Sequence, residues 1–186
     1  MERVGPHSYN KYAYPAQLEF LKARIERETI TKDQQENTTT NSEGDFKYLI
    51  IDRCLFEDRY IFAESQFRSG LINQQEFDSY CQKFESGSSG VEKIDYLIYL
   101  RAKTETLMER IRERGREMEN GISYEYLDML QVLYEESLMA NSADFSRKVK
   151  IYDVDEVGVE DLRELSLKDL VEELEIEKEG EIKITL

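Results

Sequence analysis

Three short β-rich runs constrain this chain most: "KYLIID", "DYLIYL" and "VKIYDV". The first two are dry apart from their charged ends, as expected of strands covered on both faces of a sheet. Between the runs, apolar residues return at helical spacing. Strand alternating with helix points to an α/β layered domain with a mostly parallel sheet. Ligands of such sheets bind beyond the carboxyl ends of the strands. Here those ends carry Asp52-Arg53 and the stretch from Asp153 to Glu156.

The helical segments follow from their apolar stripes. Tyr14, Leu18, Leu21 and Ile25 predict an amphipathic helix over 13–28, with Gln17 and Arg24 two turns apart on an adjoining side. Residues 55–68 present Phe56, Tyr60 and Phe67, and 74–85 present Phe77, Cys81 and Phe84. A helix capped by Thr104 carries Leu107, Met108 and Ile111; another over 123–139 carries Leu127, Leu130, Tyr134 and Leu138. A leucine-rich helix is expected over 160–175. The polar, aperiodic residues 29–46 read as a flexible loop and the acidic residues 176–186 as a solvated tail. With no internal repeat, residues 1–186 read as a single domain.

Composition narrows the function classes. An apolar fraction of 40% belongs to a globular protein with a real core. The net charge of −15 argues against general affinity for nucleic acid or an anionic membrane, though a small polyanion can bind where arginines concentrate. The longest apolar or aromatic run, Tyr96 to Leu100, is too short to span a bilayer. Cys54 and Cys81 are isolated and read as reduced thiols, and His7 is the lone histidine, so no metal ligand set and no histidine triad is expected.

Several constellations can carry chemistry. In Asp52-Arg53, a carboxylate beside a guanidinium stays ionised and can accept a proton from a hydroxyl, while the guanidinium forks onto a phosphate. A salt-bridged strand end explains the same residues, and Arg59, after Asp58, reads as helix-surface charge. In "ERIRERGREME", Arg110 and Arg114 share a helix face and Gly115 interrupts before Arg116, the makings of a mobile anion clamp. The bland alternative is a solvated face in which Glu109, Glu113 and Glu117 pair with those arginines. The Gln17 amide offers a donor and an acceptor side by side, as a nucleobase edge requires, and Phe62 can stack on a base; each is also compatible with surface or core.

The order of the segments "KYAYPAQLEFLKARI", "IIDRCLFEDRYIFAE", "GLINQQEFDSY", "DYLIYLRAKTETLMERIRERGREMENGISYEYLDML" and "IYDVDE" resembles the deoxynucleoside kinases. These are P-loop α/β enzymes that phosphorylate the 5′-hydroxyl of deoxynucleosides. The resemblance implies a three-layer P-loop-kinase-like fold. It implies that Asp52 lies near magnesium and the reacting hydroxyl, that Arg53 orients that hydroxyl and the phosphate, and that Cys54 stands where the family has serine. It further implies that Gln17 reads the base, that Arg24 and Asp58 mark the deoxycytidine and purine branch, and that Phe62 packs on the base. By the same resemblance Arg110, Arg114 and Arg116 match the lid arginines that hold ATP phosphates, Glu119 matches the lid carboxylate that contacts the sugar 3′-hydroxyl, and Asp155, Glu156 and Val157 fall where the adenine-contacting loop lies. A thymidylate-kinase-like reading shares the acid-Arg motif and the lid but fits Gln17, Arg24 and Asp58 less well.

One departure is large. None of the nine glycines begins G-x-x-x-x-G-K-[ST], the loop that cradles nucleotide phosphates. In the family that loop lies upstream of everything matched here, on a central strand. The expectation is therefore a kinase domain lacking its N-terminal P-loop strand, with two interior strand edges left open for another polypeptide to fill. ATP and Mg2+ serve the full-length reaction, and this chain is not expected to hold them or to transfer phosphate by itself. The expected partners are a deoxynucleoside and either a second copy or a full-length kinase; the alternative is a non-catalytic nucleoside-binding or regulatory protein. The expected location is cytoplasmic, or mitochondrial if a transit peptide precedes the chain.

Overall fold

The computed structural model describes residues 9–38, 48–155 and 182–185. The expected helix over 160–175 lies outside them, as do Glu156 and Val157. The chain divides into two compact units, one of Met1–Asp45, Arg53–Lys93 and Met129–Asn141, the other of Phe46–Asp52, Ile94–Asp128 and Ser142–Leu186.

The first unit is helical. Helix α1 (Ala13–Thr38) runs ten residues past its expected end, into the segment read as a loop. Between Pro15 and Thr38 there is no proline or glycine, so nothing in the backbone chemistry stops the helix once its apolar stripe has nucleated it. Residues 55–68 form α2 (Leu55–Glu57), a π-helical stretch Asp58–Ala63 and α3 (Glu64–Arg68). Helix α4 (Gln74–Ser88) starts at a capping box, in which Asn73 Oδ1 accepts the Glu76 N–H at 3.0 Å and Glu76 Oε2 accepts the Asn73 N–H at 2.9 Å. Leu21, Leu55, Ala63, Ile72, Phe77 and Tyr80 make the core, and Phe67 stacks on Phe77 at 4.5 Å between ring centroids. Arg59 is not the surface charge the sequence implied: its guanidinium lies 4.7 Å from the Phe77 ring centroid and pairs with Glu64 at 3.5 Å. The aromatic face shelters the arginine stem while the charge keeps a partner.

The second unit holds the sheet: β1 (Tyr48–Ile51), β2 (Ile94–Arg101), β3 (Ser146–Asp153) and β4 (Ile182–Thr185), in the order β1-β4-β2-β3 with every pairing among the described strands parallel. Helix α5 (Thr104–Arg114) follows β2, and α6 (Tyr124–Phe145) leads into β3. The three strands read from the sequence are present, and β4 is the one that was missed. It arises within residues 176–186, expected as a solvated tail, and it corrects the expectation of two open interior edges. Tyr48 to Ile51 pair with Ile182 to Thr185, while Ile184 and Thr185 pair in turn with Tyr96 and Leu97. Two ladders satisfy the backbone groups that an unfilled gap would have orphaned. That long-range gain outweighs the acidic run that dominated the local sequence.

Candidate functional site

In the first unit, the expected base-reading residues sit in a largely buried, charged setting. Gln17 is 6% exposed, and its Oε1 has no hydrogen-bond partner among the described residues. Seven residues along α1, Arg24 grips Asp58 with both arms: Nε to Oδ2 at 3.0 Å and an Nη to Oδ1 at 3.3 Å. Burial pushes the Asp58 carboxyl above its ordinary range, although the Arg24 hydrogen bonds and charge pull the other way. The π-helical stretch that carries Asp58 also carries Phe62, which is half-buried. Such stretches recur at functional sites because the wide turn re-aims side chains.

Arg53 has a feature the sequence did not announce. Its φ is 60°, making it the one non-glycine residue with positive φ among those described. A side chain in this left-handed region costs about 1–2 kcal/mol. The Arg53 carbonyl accepts hydrogen bonds from Arg24 (3.2 Å) and from Arg27. The next amide, Cys54 N–H, donates to Glu57 Oε2 at 2.6 Å, and Leu55 N–H donates to Glu28 Oε1 at 2.8 Å. Tyr134 of α6 donates its hydroxyl to Glu57 Oε1 at 2.7 Å. The Arg53 guanidinium carbon lies 4.8 Å from the Phe62 ring centroid. Burial raises the Glu57 carboxyl, opposed by the Tyr134 and Cys54 hydrogen bonds and by Arg53 and Arg24. Cys54 itself is buried, its thiol pushed up by burial and by the nearby Glu57 and Glu28 charges.

In the second unit, Asp52 is exposed immediately after β1. The arginines expected to act together are not equivalent. Arg110 donates to the Val154 carbonyl and so ties α5 to the end of β3. Asp155 accepts the Lys103 N–H at 2.7 Å and the Thr106 hydroxyl at 2.9 Å, bracing the start of α5, which begins at Thr104 as expected but has Lys103 and not Thr104 at its cap position. Its hydrogen bond from Lys103 holds the Asp155 carboxyl below the usual range. Gly115 ends α5 in the left-handed conformation (φ 62°), donating to the Ile111 carbonyl at 3.2 Å, a stop that glycine makes without penalty. Beyond it, Glu119 gathers the other two arginines. Arg114 donates to Glu119 Oε2 at 2.9 and 2.7 Å, and Arg116 donates to Oε1 at 3.4 Å. The pairing partner is thus Glu119 and not the flanking Glu109, Glu113 or Glu117 that helical spacing offered.

Sequence reasoning missed Glu57, Glu28, Arg27 and Tyr134. One signal was available: Glu57 lies three residues after Cys54, the spacing of a capping box, but cysteine is not a usual capping residue. A buried glutamine and carboxylate pair can read hydrogen-bonding edges, and a guanidinium held at a strand end can orient an anion. The Arg114–Arg116 pair suits phosphate oxygens. None of the nine glycines begins the phosphate-cradling pattern, and no group of three or more His, Cys, Asp or Glu that could hold a metal ion occurs among the described residues.

The parallel sheet with its connecting helices defines an α/β protein, and comparison with known proteins narrows the class. The deoxynucleoside kinase family model matches residues 7–176. This chain belongs to the deoxynucleoside kinase family. It is 30% identical over 141 residues to a deoxyadenosine kinase of Dictyostelium discoideum, covering 76% of this chain and 51% of that protein. It is 26% identical over 170 residues to a deoxyadenosine/deoxycytidine kinase of Bacillus subtilis (strain 168), covering 90% and 71%. Among solved structures, it is similar to a deoxyadenosine kinase of M. mycoides with products dCMP and a flexible dCDP bound, at a TM-score of 0.68 and 28% identity over 87% of this chain and 75% of that one. The chain spans about half the length of the Dictyostelium relative. No helix among the described residues is long and apolar enough to cross a membrane.

Proposed function

We propose that this chain supplies the deoxynucleoside-binding residues and the phosphate lid of a deoxynucleoside kinase that takes deoxycytidine or a purine deoxynucleoside. The observation that carries this reading is the buried, two-armed Arg24–Asp58 pair, on the same helix side as a buried Gln17 whose Oε1 has no partner among the described residues. A buried polar atom without a partner is costly unless a ligand satisfies it. In this reading Gln17, Arg24 and Asp58 read the base and Phe62 packs on it. Asp52 and Arg53 serve the 5′-hydroxyl, Glu119 the sugar, and Arg114 and Arg116 the phosphates, while Arg110 and Asp155 hold the lid helix. ATP is the phosphate donor and Mg2+ neutralises its oxygens in the complete reaction.

Lacking a phosphate cradle in its sequence, the chain by itself is expected to bind deoxynucleoside without phosphorylating it. Titration calorimetry of the 186-residue protein tests this. Deoxycytidine or deoxyadenosine should bind, thymidine should bind more weakly, and Asp58→Ala should abolish the difference. No binding of any deoxynucleoside would overturn the reading. Deoxynucleoside monophosphate formed from ATP by the purified chain, and abolished in Asp52→Asn, would overturn the expected inactivity. The absent cradle also favours a second reading, a nucleoside-binding partner of a full-length kinase, for which co-purification of an intact kinase is the sign.

A further inference from the structure

We propose that Glu57, braced by Tyr134, is a positioning residue that holds Arg53 in its left-handed conformation and so fixes where the Arg53 guanidinium lies. The inference rests on the reading of Arg53 as the group that orients hydroxyl and phosphate. Its ground is convergence. A non-glycine residue with positive φ persists only where its surroundings over-determine it. Here the Arg53 carbonyl and the two amides that follow it are each engaged by a charged side chain: Arg24 and Arg27 on the carbonyl, Glu57 on Cys54 N–H, Glu28 on Leu55 N–H.

An ordinary helix start needs much less. A serine or aspartate at position 54 would satisfy a free amide at the protein surface. This chain instead buries two carboxylates, Glu28 at 4% exposure and Glu57 at 8%, and directs both at consecutive amides. Burying carboxylates is unfavourable unless hydrogen bonds compensate, and for Glu57 they come from Cys54 N–H on one oxygen and the Tyr134 hydroxyl on the other. Tyr134 comes from α6, so the backbone angle of Arg53 is set in part by a helix remote in sequence. The outcome is visible at the far end of the Arg53 side chain, where the guanidinium lies over the Phe62 ring.

Two readouts on Glu57→Gln, Glu57→Ala and Tyr134→Phe test this, with thermal melting to establish that each variant folds. The first is the upfield ring-current shift that Phe62 imposes on the Arg53 side-chain protons, read by NMR. Glu57→Gln, which still has one acceptor oxygen, should retain most of the shift, Tyr134→Phe should weaken it and Glu57→Ala should lose it. The second is calorimetric binding of deoxycytidine and of its 5′-monophosphate. The preference for the monophosphate should fall about tenfold in Glu57→Ala, the scale of losing an orienting partner, with deoxycytidine affinity unchanged. Ring-current shift and preference both unchanged in folded Glu57→Ala, or both ligands weakened equally, would reduce Glu57 to a helix cap and overturn the proposal. If Glu57→Ala fails to fold, an unchanged shift in Tyr134→Phe overturns it. If the parent protein binds neither ligand, the functional reading has failed, and the ring-current shift alone decides the positioning role.

Discussion

Arg24 and Asp58, the pair proposed to read the base, show what a buried ion pair costs to break. Their side chains are 16% and 4% exposed, so removing one partner leaves an uncompensated charge away from water. Arg24→Ala should cost about 3–5 kcal/mol in urea unfolding, and the double variant with Asp58→Ala should recover much of that loss. Glu57 makes a prediction in pH. Its folded pKa lies above the ordinary value through burial, so the folded chain holds that proton more tightly than the unfolded one. The contribution to stability is then fullest below the unfolded pKa and is lost as pH rises through the folded one. Tyr134→Phe removes a hydrogen bond to the ionised form and should move the Glu57 titration further up, measured by carboxyl carbon NMR. Asp58 and Arg24 stood out in the sequence through the family resemblance, whereas nothing in the sequence singled out Glu57 or Glu28. A string of letters does not distinguish a carboxylate facing water from one facing an amide.

At the scale of elements, local pattern found the strands that are long or dry and missed the one that exists through its neighbours. "IKIT" has the β-branched alternation of a strand, but it is four residues long and follows an acidic run. Its placement between β1 and β2 depends on pairings with residues about 90 to 130 positions away, which no window of sequence contains. The extension of α1 was hidden for the opposite reason: polarity was read as loop where only the absence of helix breakers mattered. β4 should be a keystone. Ile184 pairs with Ile50 on one side and Tyr96 on the other. Proline there lacks the amide N–H and disrupts a strand paired on both sides, so Ile184→Pro should cost about 3 kcal/mol or more. The same variant should scatter light on concentration, because β1 and β2 would then present unpaired edges. A stability unchanged from the parent would show that β4 does not hold the sheet together.

For the whole molecule, the proposed phosphate lid raises the question of how a chain of net charge −15 would accept a polyanion. Its field opposes phosphate at long range, but screening confines that field to about 8 Å at physiological salt, so the local arrangement decides. Locally, Glu119 holds Arg114 and Arg116 as an internal anion, its own side chain only 15% exposed. Phosphate and Glu119 then compete for the same donors. Neutralising Glu119 should release both arginines, and Glu119→Gln should bind inorganic tripolyphosphate about fivefold more tightly, the scale of losing one competing ion pair. Net charge alone predicts the same gain from any neutralised carboxylate, so the control is Glu85→Gln, at an exposed residue of α4. Titration calorimetry at fixed salt separates the two accounts. Tightening confined to Glu119→Gln, and lost again when Arg114→Ala is added, places the control in the lid; equal tightening in both single variants places it in the charge of the whole chain.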